Sequence, residues 1–369
     1  MDTLKVGVVG CAGRGGSFLN TFNLHPQTTL HALCDINEEG LQERGRKMGI
    51  DDRLLFTEYE RMLDEGGVDI VLIGTPMPLH APQSIMALEH GVHVLSEVPA
   101  AVNMTEARDL VKACANSDAT YMMAENYTYM KPNVLVRELA RRGLFGEMYF
   151  GEGEYLHELK ELNEVTRWRR KWQTGINGCT YPTHSLGPVL QWMQERVVTV
   201  SCAGSGHHYT DPRGDQYENE DSIIMLCRMS GGGLVKIRVD MLSDRPHNMT
   251  YYSLQGTDGV YEADRGLDDE PKIWLREIHG DDPEWHPLSE LEEQFMPEIW
   301  KNPPEAALKA GHGGGDYFEI MDFVEAISSD TEPPVSIHDA MDMTLPGLVS
   351  QQSIQQGSVW LDVPDSRDW

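Results

Sequence analysis

The first apolar run of the chain leads into a group of glycines whose spacing suits phosphate binding. Val6, Val8 and Val9 are followed by the segment Gly10-Cys-Ala-Gly-Arg-Gly15. This pattern predicts a buried strand that turns sharply into a helix. Glycines let the backbone approach a phosphate closely, and the N-terminus of a helix attracts anions. The turn therefore predicts a pyrophosphate site, with contacts from Gly10, Cys11, Ala12, Gly13, Arg14 and Gly15.

An acidic residue further along favours a dinucleotide over the alternative, a phosphate-free corner between strand and helix. Ala12 replaces the middle glycine of the usual pattern, so the turn alone is weak evidence. However, the apolar run Leu30-His-Ala-Leu-Cys-Asp35 ends in an acid at the expected distance of about 20 residues. Asp35 can accept both hydroxyls of an adenosine ribose and would repel a 2′-phosphate. The sequence therefore predicts NAD, rather than NADP, as the cofactor.

A second group of side chains could move protons. Tyr155 and His157 alternate on one face of a predicted strand, and the segment Tyr181-Pro-Thr-His184 precedes a predicted helix. Histidine titrates near neutral pH, which suits it to proton transfer. For Tyr155 and His157 alone, plain packing of the sheet face is an equally good interpretation. The turn before the helix would hold His184 in a fixed position.

The elements that position the glycine turn alternate between strand and helix over residues 1–126. Strands are predicted at 68–74 and 92–97, and helices at 81–90 and 105–117. This alternation predicts a doubly wound parallel sheet, a Rossmann domain. Ligands of such sheets bind beyond the carboxyl ends of the strands. The predicted cofactor site therefore also includes Thr75, His80, Glu97, Pro99 and Asn126.

Residues 127–369 are predicted to form a second domain, an α/β domain that binds the substrate. Strands at 197–202, 222–229, 233–241 and 250–256 predict an open, mostly antiparallel sheet. The last helix, at about 336–356, is expected to pack back on the sheet.

Composition narrows the possible partners and the compartment. The chain has 59 acidic and 30 basic residues and a formal charge of −29, which repels nucleic acid and anionic membranes. Its 6 cysteines are scattered without a C-x-x-C pair, which indicates reduced thiols and a cytoplasmic protein. The sequence pattern predicts neither a leader nor a membrane span. His207 and His208 are adjacent but lack further ligands at zinc spacing, so no metal site is predicted.

Several motifs together resemble the Gfo/Idh/MocA oxidoreductases. They are the glycine turn, the segment Gly74-Thr-Pro-Met-Pro-Leu-His80, the strand end Glu97-Val-Pro99 and the strand end Ala124-Glu-Asn126. The resemblance implies an N-terminal Rossmann domain that holds NAD(P) and a C-terminal sheet domain that binds a sugar or polyol. One departure is Val98, where many dehydrogenases of the family have a lysine. Val98 cannot hydrogen-bond a substrate hydroxyl, which weakens the case for lysine-assisted dehydrogenation.

Further motifs resemble a branch of that superfamily, glycoside hydrolase family 109. They are Tyr155-Leu-His157, Trp168-Arg169, Tyr181-Pro-Thr-His184, Arg245-Pro246 with Gln255-Gly-Thr-Asp-Gly259, and Gly311-His-Gly-Gly-Gly-Asp-Tyr317. The resemblance implies an NAD-dependent glycosidase. Its reaction oxidises the sugar at C3, removes the C2 proton, eliminates the aglycone, adds water and reduces C3 again.

The resemblance also implies roles for individual residues. His184, supported by Tyr181, would handle the proton of the C3 hydroxyl, and Tyr155, with His157 beside it, would handle the C2 proton. Arg169 would bind the sugar or stabilise the enolate. A tyrosine has an unperturbed pKa near 10, so Tyr155 would need a cationic neighbour such as Arg169 to act as a base. A surface ion pair is the alternative for Arg169, since other basic residues surround it. Trp168 and Arg169 are also assigned to the cofactor site, and His312 and Asp316 to the lining of the site.

Two other functions stay open from the sequence. One is a sugar or glycoside 3-dehydrogenase with net oxidation, and the other is a non-catalytic NAD-binding sensor. The sequence does not indicate which sugar, anomer or aglycone is bound. The resemblance implies a homo-oligomer, a dimer or tetramer, without specifying the number of subunits.

Overall fold

The glycine turn follows a central strand of a six-stranded parallel sheet in the computed structural model, which describes residues 3–246, 248–281 and 283–369. The strands are apolar runs, as expected where helices cover both faces of a parallel sheet. Their order, β3-β2-β1-β4-β5-β6, confirms the predicted Rossmann domain. The strands are β1 (Leu4–Val9), β2 (Thr28–Cys34), β3 (Leu55–Phe56), β4 (Ile70–Ile73), β5 (His93–Ser96) and β6 (Tyr121–Met123).

A second sheet of nine strands lies in the C-terminal region, in the order β14-β13-β12-β11-β7-β10-β9-β8-β15. Strands β7 and β10 are parallel, and every other neighbouring pair in this described sheet is antiparallel. The predicted open, mostly antiparallel sheet is therefore confirmed. The strands are β7 (Met148–Leu156), β8 (Val197–Gly204), β9 (Ser222–Met229), β10 (Leu234–Asp240), β11 (Thr250–Gly256), β12 (Gly259–Glu262), β13 (Lys272–Leu275), β14 (His286–Pro287) and β15 (Leu361–Asp362).

Helices connect the strands in both regions. In chain order they are α1 (Leu19–Leu24), α2 (Glu38–Met48), α3 (Tyr59–Glu65), α4 (His80–Glu89), α5 (Met104–Ala115), α6 (Lys131–Arg141), α7 (Lys160–Val165), α8 (Arg169–Trp172), α9 (Thr183–Met193), α10 (Arg276–His279), α11 (Glu292–Phe295), α12 (Glu298–Lys301), α13 (Glu305–Leu308), α14 (Gly315–Ser329) and α15 (Ile337–Gln355). Among the described residues, none of these helices is long and apolar enough to span a membrane.

The contacts divide the chain into two units. The first comprises the chain up to Tyr129 together with Pro303–Met341 and Ser366–Trp369. The second comprises Met130–Asn302 and Asp342–Asp365. The sequence placed all of 127–369 in one domain, whereas this division assigns 303–341 to the Rossmann unit.

Long-range contacts explain why the segment 303–341 belongs to the first unit. The backbone N–H of Met123 in β6 donates to the Val335 carbonyl at 3.1 Å. The Tyr129 hydroxyl donates to Asp322 of α14 at 2.9 Å. In addition, α14 buries Phe318 and Phe323, whose burial removes apolar surface from water.

Two glycines in β7 allow helix α9 to pack closely on the second sheet. A Cβ added at Gly153 would lie 2.7 Å from the carbonyl carbon of Ser185 in α9, and one at Gly151 would lie 2.8 Å from Val189. Helix α9 also carries His184, so this close approach fixes the position of a predicted site residue relative to β7.

Replacing Gly153 by alanine is expected to destabilise the protein by about 1–3 kcal/mol, because the new methyl group meets a backbone carbonyl that cannot rotate away. Thermal unfolding should show a melting temperature lower by several degrees. Gly231→Ala is the control, since the three atoms nearest its added Cβ all belong to the carboxylate of Glu195, the end of a flexible side chain. An unchanged melting temperature for Gly153→Ala would show that α9 is not packed this closely.

Candidate functional site

Close backbone approach shapes the glycine turn. Gly10 has φ of 79°, and an added Cβ would lie 2.5 Å from the Gly74 carbonyl oxygen at the end of β4. Likewise, a Cβ at Gly74 would lie 2.5 Å from Gly15. A 3₁₀ helix at Arg14–Ser17 follows the turn, and α1 begins only at Leu19. In contrast to Gly10 and Gly15, a Cβ added at Gly13 would have no neighbour closer than 3.7 Å, which leaves space above the turn.

Asp35 links the first two strand ends through backbone hydrogen bonds. One carboxylate oxygen accepts from the Ala12 N–H at 2.9 Å, and the other accepts from the Asn37 N–H at 2.9 Å. A carboxylate oxygen has two lone pairs, so each can still accept a ribose hydroxyl. The neighbouring Cys11 is fully buried, and burial, with the charge of Asp35, raises the pKa of its thiol to about 12. Its side chain therefore packs as a neutral thiol.

Arg14 connects the glycine turn to the end of β5. Its Nε lies 2.7 Å from Oε1 of Glu97, which is buried, and its guanidinium lies 4.7 Å from the ring centroid of Phe18. The structure thus brings together two residues that the sequence assigned to the cofactor site. This ion pair limits the carboxylate of Glu97 to one orientation beside the turn.

His80 is a buried connector between two strand ends. Its Nε2 lies 2.8 Å from the Thr75 carbonyl, its Nδ1 lies 3.0 Å from the Pro99 carbonyl, and burial lowers its pKa. The Thr75 hydroxyl donates to Gln83 at 2.6 Å. The structure therefore gives the side chains of His80 and Thr75 protein partners, and their role at the cofactor stays a prediction.

Asn126 carries an acceptor that the described residues leave unsatisfied. The side chain is 3% exposed, and its Nδ2 lies 3.2 Å from His312 and 3.3 Å from Asp316. Its Oδ1 is buried and has no hydrogen-bond partner within the described part of the chain. A buried orphan acceptor is unfavourable. The carboxamide N–H₂ of nicotinamide is a donor of the kind that would satisfy it, so the residues of this edge fit NAD.

Glu319 is a buried acid that the sequence analysis did not single out. It lies on α14 and is fully buried, and neither carboxylate oxygen has a hydrogen-bond partner in the described ranges. Burial raises its pKa well above 4.5, and the charges of Asp316, Glu97 and Glu125 add to this while Arg14 opposes it. The signal available in the sequence was an acid between Phe318 and Ile320, one turn after Asp316.

The pH dependence of the free energy of unfolding should show that Glu319 is protonated in the folded protein. Between the unfolded pKa, 4.5, and the higher folded pKa, the folded state holds a proton that the unfolded state has lost. The free energy of unfolding should therefore fall as pH rises, by about 1.4 kcal/mol per pH unit. Glu319→Gln should flatten this slope above pH 5, whereas the exposed Glu325→Gln should not. Melting temperatures measured over a pH series test this expectation. Parallel plots of melting temperature against pH for wild type and Glu319→Gln would contradict a protonated Glu319.

The predicted proton-transfer residues lie together in the second unit. The Tyr155 hydroxyl lies 2.8 Å from Nδ1 of His157. Ring centroids of Tyr155 and His184 are 5.1 Å apart, those of Tyr181 and His184 are 5.0 Å apart, and those of Tyr155 and Tyr181 are 5.7 Å apart. Two tyrosines and two histidines thus form one cluster, which we call the Tyr–His cluster.

The backbone of His184 is held from both sides. His184 lies in the first turn of α9 and is 7% exposed. Its carbonyl oxygen accepts a hydrogen bond from the Tyr252 hydroxyl of β11 at 2.5 Å. Because α9 also packs on β7, the backbone that carries the imidazole is held against the second sheet. The sequence placed His184 in a turn before the helix, whereas the structure places it within the first turn of α9.

Arg169 has neutral partners in the described residues. Its Nε donates to the Thr166 hydroxyl at 2.9 Å, and its Nη1 donates to Gln173 at 2.7 Å. Its guanidinium lies 4.5 Å from the ring centroid of Trp168. The carboxylates nearby pair with Arg170 instead, which contacts Glu164 at 3.2 Å and also Asp211. The structure places Trp168 and Arg169 in the second unit, and their cofactor role stays a prediction.

Solved structures with the same fold include a dehydrogenase and an oxidoreductase domain protein. Levoglucosan dehydrogenase in complex with NADH and L-sorbose matches with a TM-score of 0.81 at 20% identity, over 99% of this chain and 100% of that chain. An oxidoreductase domain protein from Kribbella flavida matches with a TM-score of 0.82 at 20% identity, over 99% and 100%. These matches show the fold.

Sequence comparison identifies the family. The family model for the oxidoreductase family with an NAD-binding Rossmann fold matches residues 4–125, and that for the C-terminal domain of glycosyl hydrolase 109 matches residues 129–368. A family 109 protein from Saccharopolyspora erythraea is 30% identical over 99% of this chain and 83% of the relative. An α-N-acetylgalactosaminidase from Shewanella oneidensis is 27% identical over 99% and 85%. The chain therefore belongs to glycosyl hydrolase family 109 and carries an NAD-binding Rossmann domain of the Gfo/Idh/MocA type.

Proposed function

We propose that this protein hydrolyses a glycoside without net redox change, through transient oxidation of the sugar at C3. The observation that carries the proposal is the Tyr–His cluster, in which four titratable side chains meet at ring distances of 5.0–5.7 Å. NAD, when bound, supplies the hydride acceptor and donor for C3. The protein has to supply groups that move protons at C3 and C2, and a cation for the negative charge of an enolate.

His184 is suited to the proton of the C3 hydroxyl. An imidazole exchanges protons near neutral pH, and the hydrogen bond from Tyr252 to the His184 carbonyl holds the residue in place. A fixed acceptor keeps the hydroxyl oriented while the C–H bond at C3 breaks, which lowers the entropic cost of the step. Tyr181, with its ring centroid 5.0 Å from that of His184, limits the orientation of the imidazole.

Tyr155 is suited to the proton on C2 because His157 can assist it. A phenol has an unperturbed pKa near 10, so Tyr155 requires a neighbour that favours loss of its proton. The sequence suggested Arg169 for this task, whereas the contact in the structure is to Nδ1 of His157 at 2.8 Å. If Nδ1 lacks a proton, the phenol donates to it, and transfer along this bond leaves a basic oxygen for the C2 proton. Arg169, whose hydrogen-bond partners among the described residues are neutral, remains the candidate for stabilising the enolate.

The second candidate is a glycoside or sugar 3-dehydrogenase with net oxidation. The fold match to levoglucosan dehydrogenase supports it. Val98 counts against it, because the lysine that assists many dehydrogenases of the superfamily is absent.

Turnover with limiting NAD separates the two candidates. Purified protein would be incubated with p-nitrophenyl α- and β-glycosides, including the α-N-acetylgalactosaminide that the Shewanella relative suggests. We expect many equivalents of p-nitrophenol per NAD and no accumulation of NADH. NADH formed one for one with the substrate consumed would overturn the hydrolase and support the dehydrogenase. Binding of NAD and of a sugar without either product would support a sensor.

A further inference from the structure

Helix α14 carries a carboxylic acid into the interior of the first unit. Glu319 is fully buried, and neither of its carboxyl oxygens has a hydrogen-bond partner in residues 3–246, 248–281 and 283–369. The first turn of α14 packs against the 3₁₀ helix Asn126–Tyr129, since a Cβ added at Gly315 would lie 3.1 Å from the Tyr129 carbonyl oxygen. Residues four apart on a helix share a face. Glu319 therefore lies on the side of α14 that packs against this segment.

The surroundings of Glu319 contain more negative than positive charge. Glu97 follows β5 and Glu125 follows β6, and the charges of both act on Glu319. Asp316, one turn earlier on α14, adds to them. Arg14 opposes these acids, but its guanidinium is paired with Glu97 at 2.7 Å. Burial and the three acids raise the pKa of Glu319 well above 4.5, so the acid keeps its proton until further positive charge comes near it.

A buried amide at the same edge indicates where a ligand meets these acids. Oδ1 of Asn126 has no hydrogen-bond partner in the described part of the chain, and Nδ2 of the same side chain lies 3.3 Å from Asp316. Asp316 and Glu319 are three residues apart, so they share one face of α14. A ligand that donates to Oδ1 of Asn126 is therefore bound beside the helix face that carries both acids.

The position of these residues along the sheet corresponds to the nicotinamide half of NAD. Asp35, the predicted partner of the adenosine ribose, follows β2, whereas Glu97 and Asn126 follow β5 and β6. These strands lie on opposite sides of β1 in the strand order. A dinucleotide binds across the carboxyl ends of such a sheet, so the nicotinamide belongs to the side of β5 and β6. Its ring is positively charged in NAD⁺ and neutral in NADH.

We propose that Glu319 senses the oxidation state of the cofactor, because it releases its proton to solvent when NAD⁺ binds and keeps that proton when NADH binds. The positive ring supplies the counter-charge that Glu319 lacks, which favours the carboxylate over the acid. Ring and carboxylate together are then as neutral as NADH beside the protonated acid. Glu319 thereby makes the relative affinity for NAD⁺ and NADH depend on pH. This exchange depends on the cofactor alone, whichever sugar is bound and whether or not it is hydrolysed.

The ratio of the association constants for NAD⁺ and NADH tests the proposal, because the two cofactors differ in ring charge and share the rest of their binding groups. A proton lost on binding makes NAD⁺ bind more tightly as pH rises, by up to about tenfold per pH unit. In wild type we expect the ratio to rise at least about tenfold in favour of NAD⁺ between pH 6 and pH 9. In Glu319→Gln, which has no proton to lose there, it should change less than about twofold.

Isothermal titration calorimetry measures both association constants and also counts the protons. Titrations at one pH in two buffers of different ionisation enthalpy give the number of protons released per cofactor bound. Wild type should release more protons with NAD⁺ than with NADH, and this difference should disappear in Glu319→Gln. An equal release with both cofactors in wild type would overturn the proposal without requiring any variant to fold.

Two control variants separate Glu319 from the other titratable groups. Glu325→Gln makes the same substitution at an exposed position of α14 and should behave as wild type. His312 contacts Asp316 at 2.8 Å, and His312→Gln should retain the pH dependence of the ratio. Tyr127 faces the same acids, but burial raises the pKa of its phenol, which stays protonated. A ratio independent of pH in wild type, or a wild-type pH dependence in Glu319→Gln, would overturn the assignment to Glu319.

Discussion

Replacing Tyr155 by phenylalanine is expected to slow glycoside cleavage about 10²- to 10⁴-fold while NAD still binds, because the substitution removes only the hydroxyl that exchanges the C2 proton. The ring contacts with Tyr181 and His184 are kept, since phenylalanine has the same ring. The hydrogen bond to His157 is lost. The measurement is steady-state release of the aglycone by Tyr155→Phe and wild type at saturating NAD.

Solvent exchange identifies the step that Tyr155→Phe affects. During wild-type turnover in D₂O, the product sugar should gain deuterium at C2, because the proton removed there is exchanged before it returns. Tyr149→Phe is the matched control, since Tyr149 is on the same strand and exposed. It should retain wild-type turnover within about twofold. Wild-type turnover by Tyr155→Phe would rule out Tyr155 as the group that removes the C2 proton.

Short-range patterns in the sequence predicted the parts of the site that local backbone geometry determines. Gly10 and Asp35 belong to one strand–helix–strand unit, so both residues and their spacing could be recognised within one continuous segment. The sequence predicted one strand carrying both Tyr155 and His157 on the same face. In the structure β7 ends at Leu156 and His157 follows it directly, and the two side chains contact each other. The last helix, predicted at about 336–356, lies at Ile337–Gln355.

Contacts between distant segments could not be predicted in this way. Asn126 and His312 are 186 residues apart, and their contact exists because α14 packs on the first unit. Hydrophobic periodicity predicts that α14 is a helix, but does not indicate which sheet it covers. For the same reason, the sequence neither predicted that Glu319 would be buried nor identified the carbonyl partners of His80.

Two assignments could not be made from residue types alone. The side-chain contacts in the structure narrow the choice for both. Arg169 and Arg170 are equivalent in the sequence, and their partners distinguish them, because Arg170 takes the carboxylates of Glu164 and Asp211. The partner of Tyr155 was expected to be a cation. The structure provides an imidazole, which can accept the phenol proton directly. Both differences arise from side-chain positions rather than from the pattern of residue types.

Gly10→Ala is expected to weaken NAD binding at least about 100-fold, because the turn has no room for a methyl group. The added Cβ would lie 2.5 Å from the Gly74 carbonyl oxygen, at a φ of 79°. The positive φ costs a residue with a Cβ about 1–2 kcal/mol, and the contact forces the turn away from β4. Since 1.4 kcal/mol corresponds to a tenfold change in affinity, a loss of two orders of magnitude corresponds to about 2.8 kcal/mol for returning the displaced turn to the conformation that binds pyrophosphate.

Gly91→Ala is the control, because it introduces a Cβ at a positive φ without a steric contact. Gly91 has φ of 70°, and an added Cβ there would have no neighbour within 4 Å. Gly91→Ala should lower the melting temperature slightly and leave NAD affinity within about threefold of wild type. Isothermal titration calorimetry gives both affinities, and the rise in melting temperature on adding NAD gives an independent measure. If Gly10→Ala bound NAD as tightly as Gly91→Ala, the glycine turn would not be the pyrophosphate site.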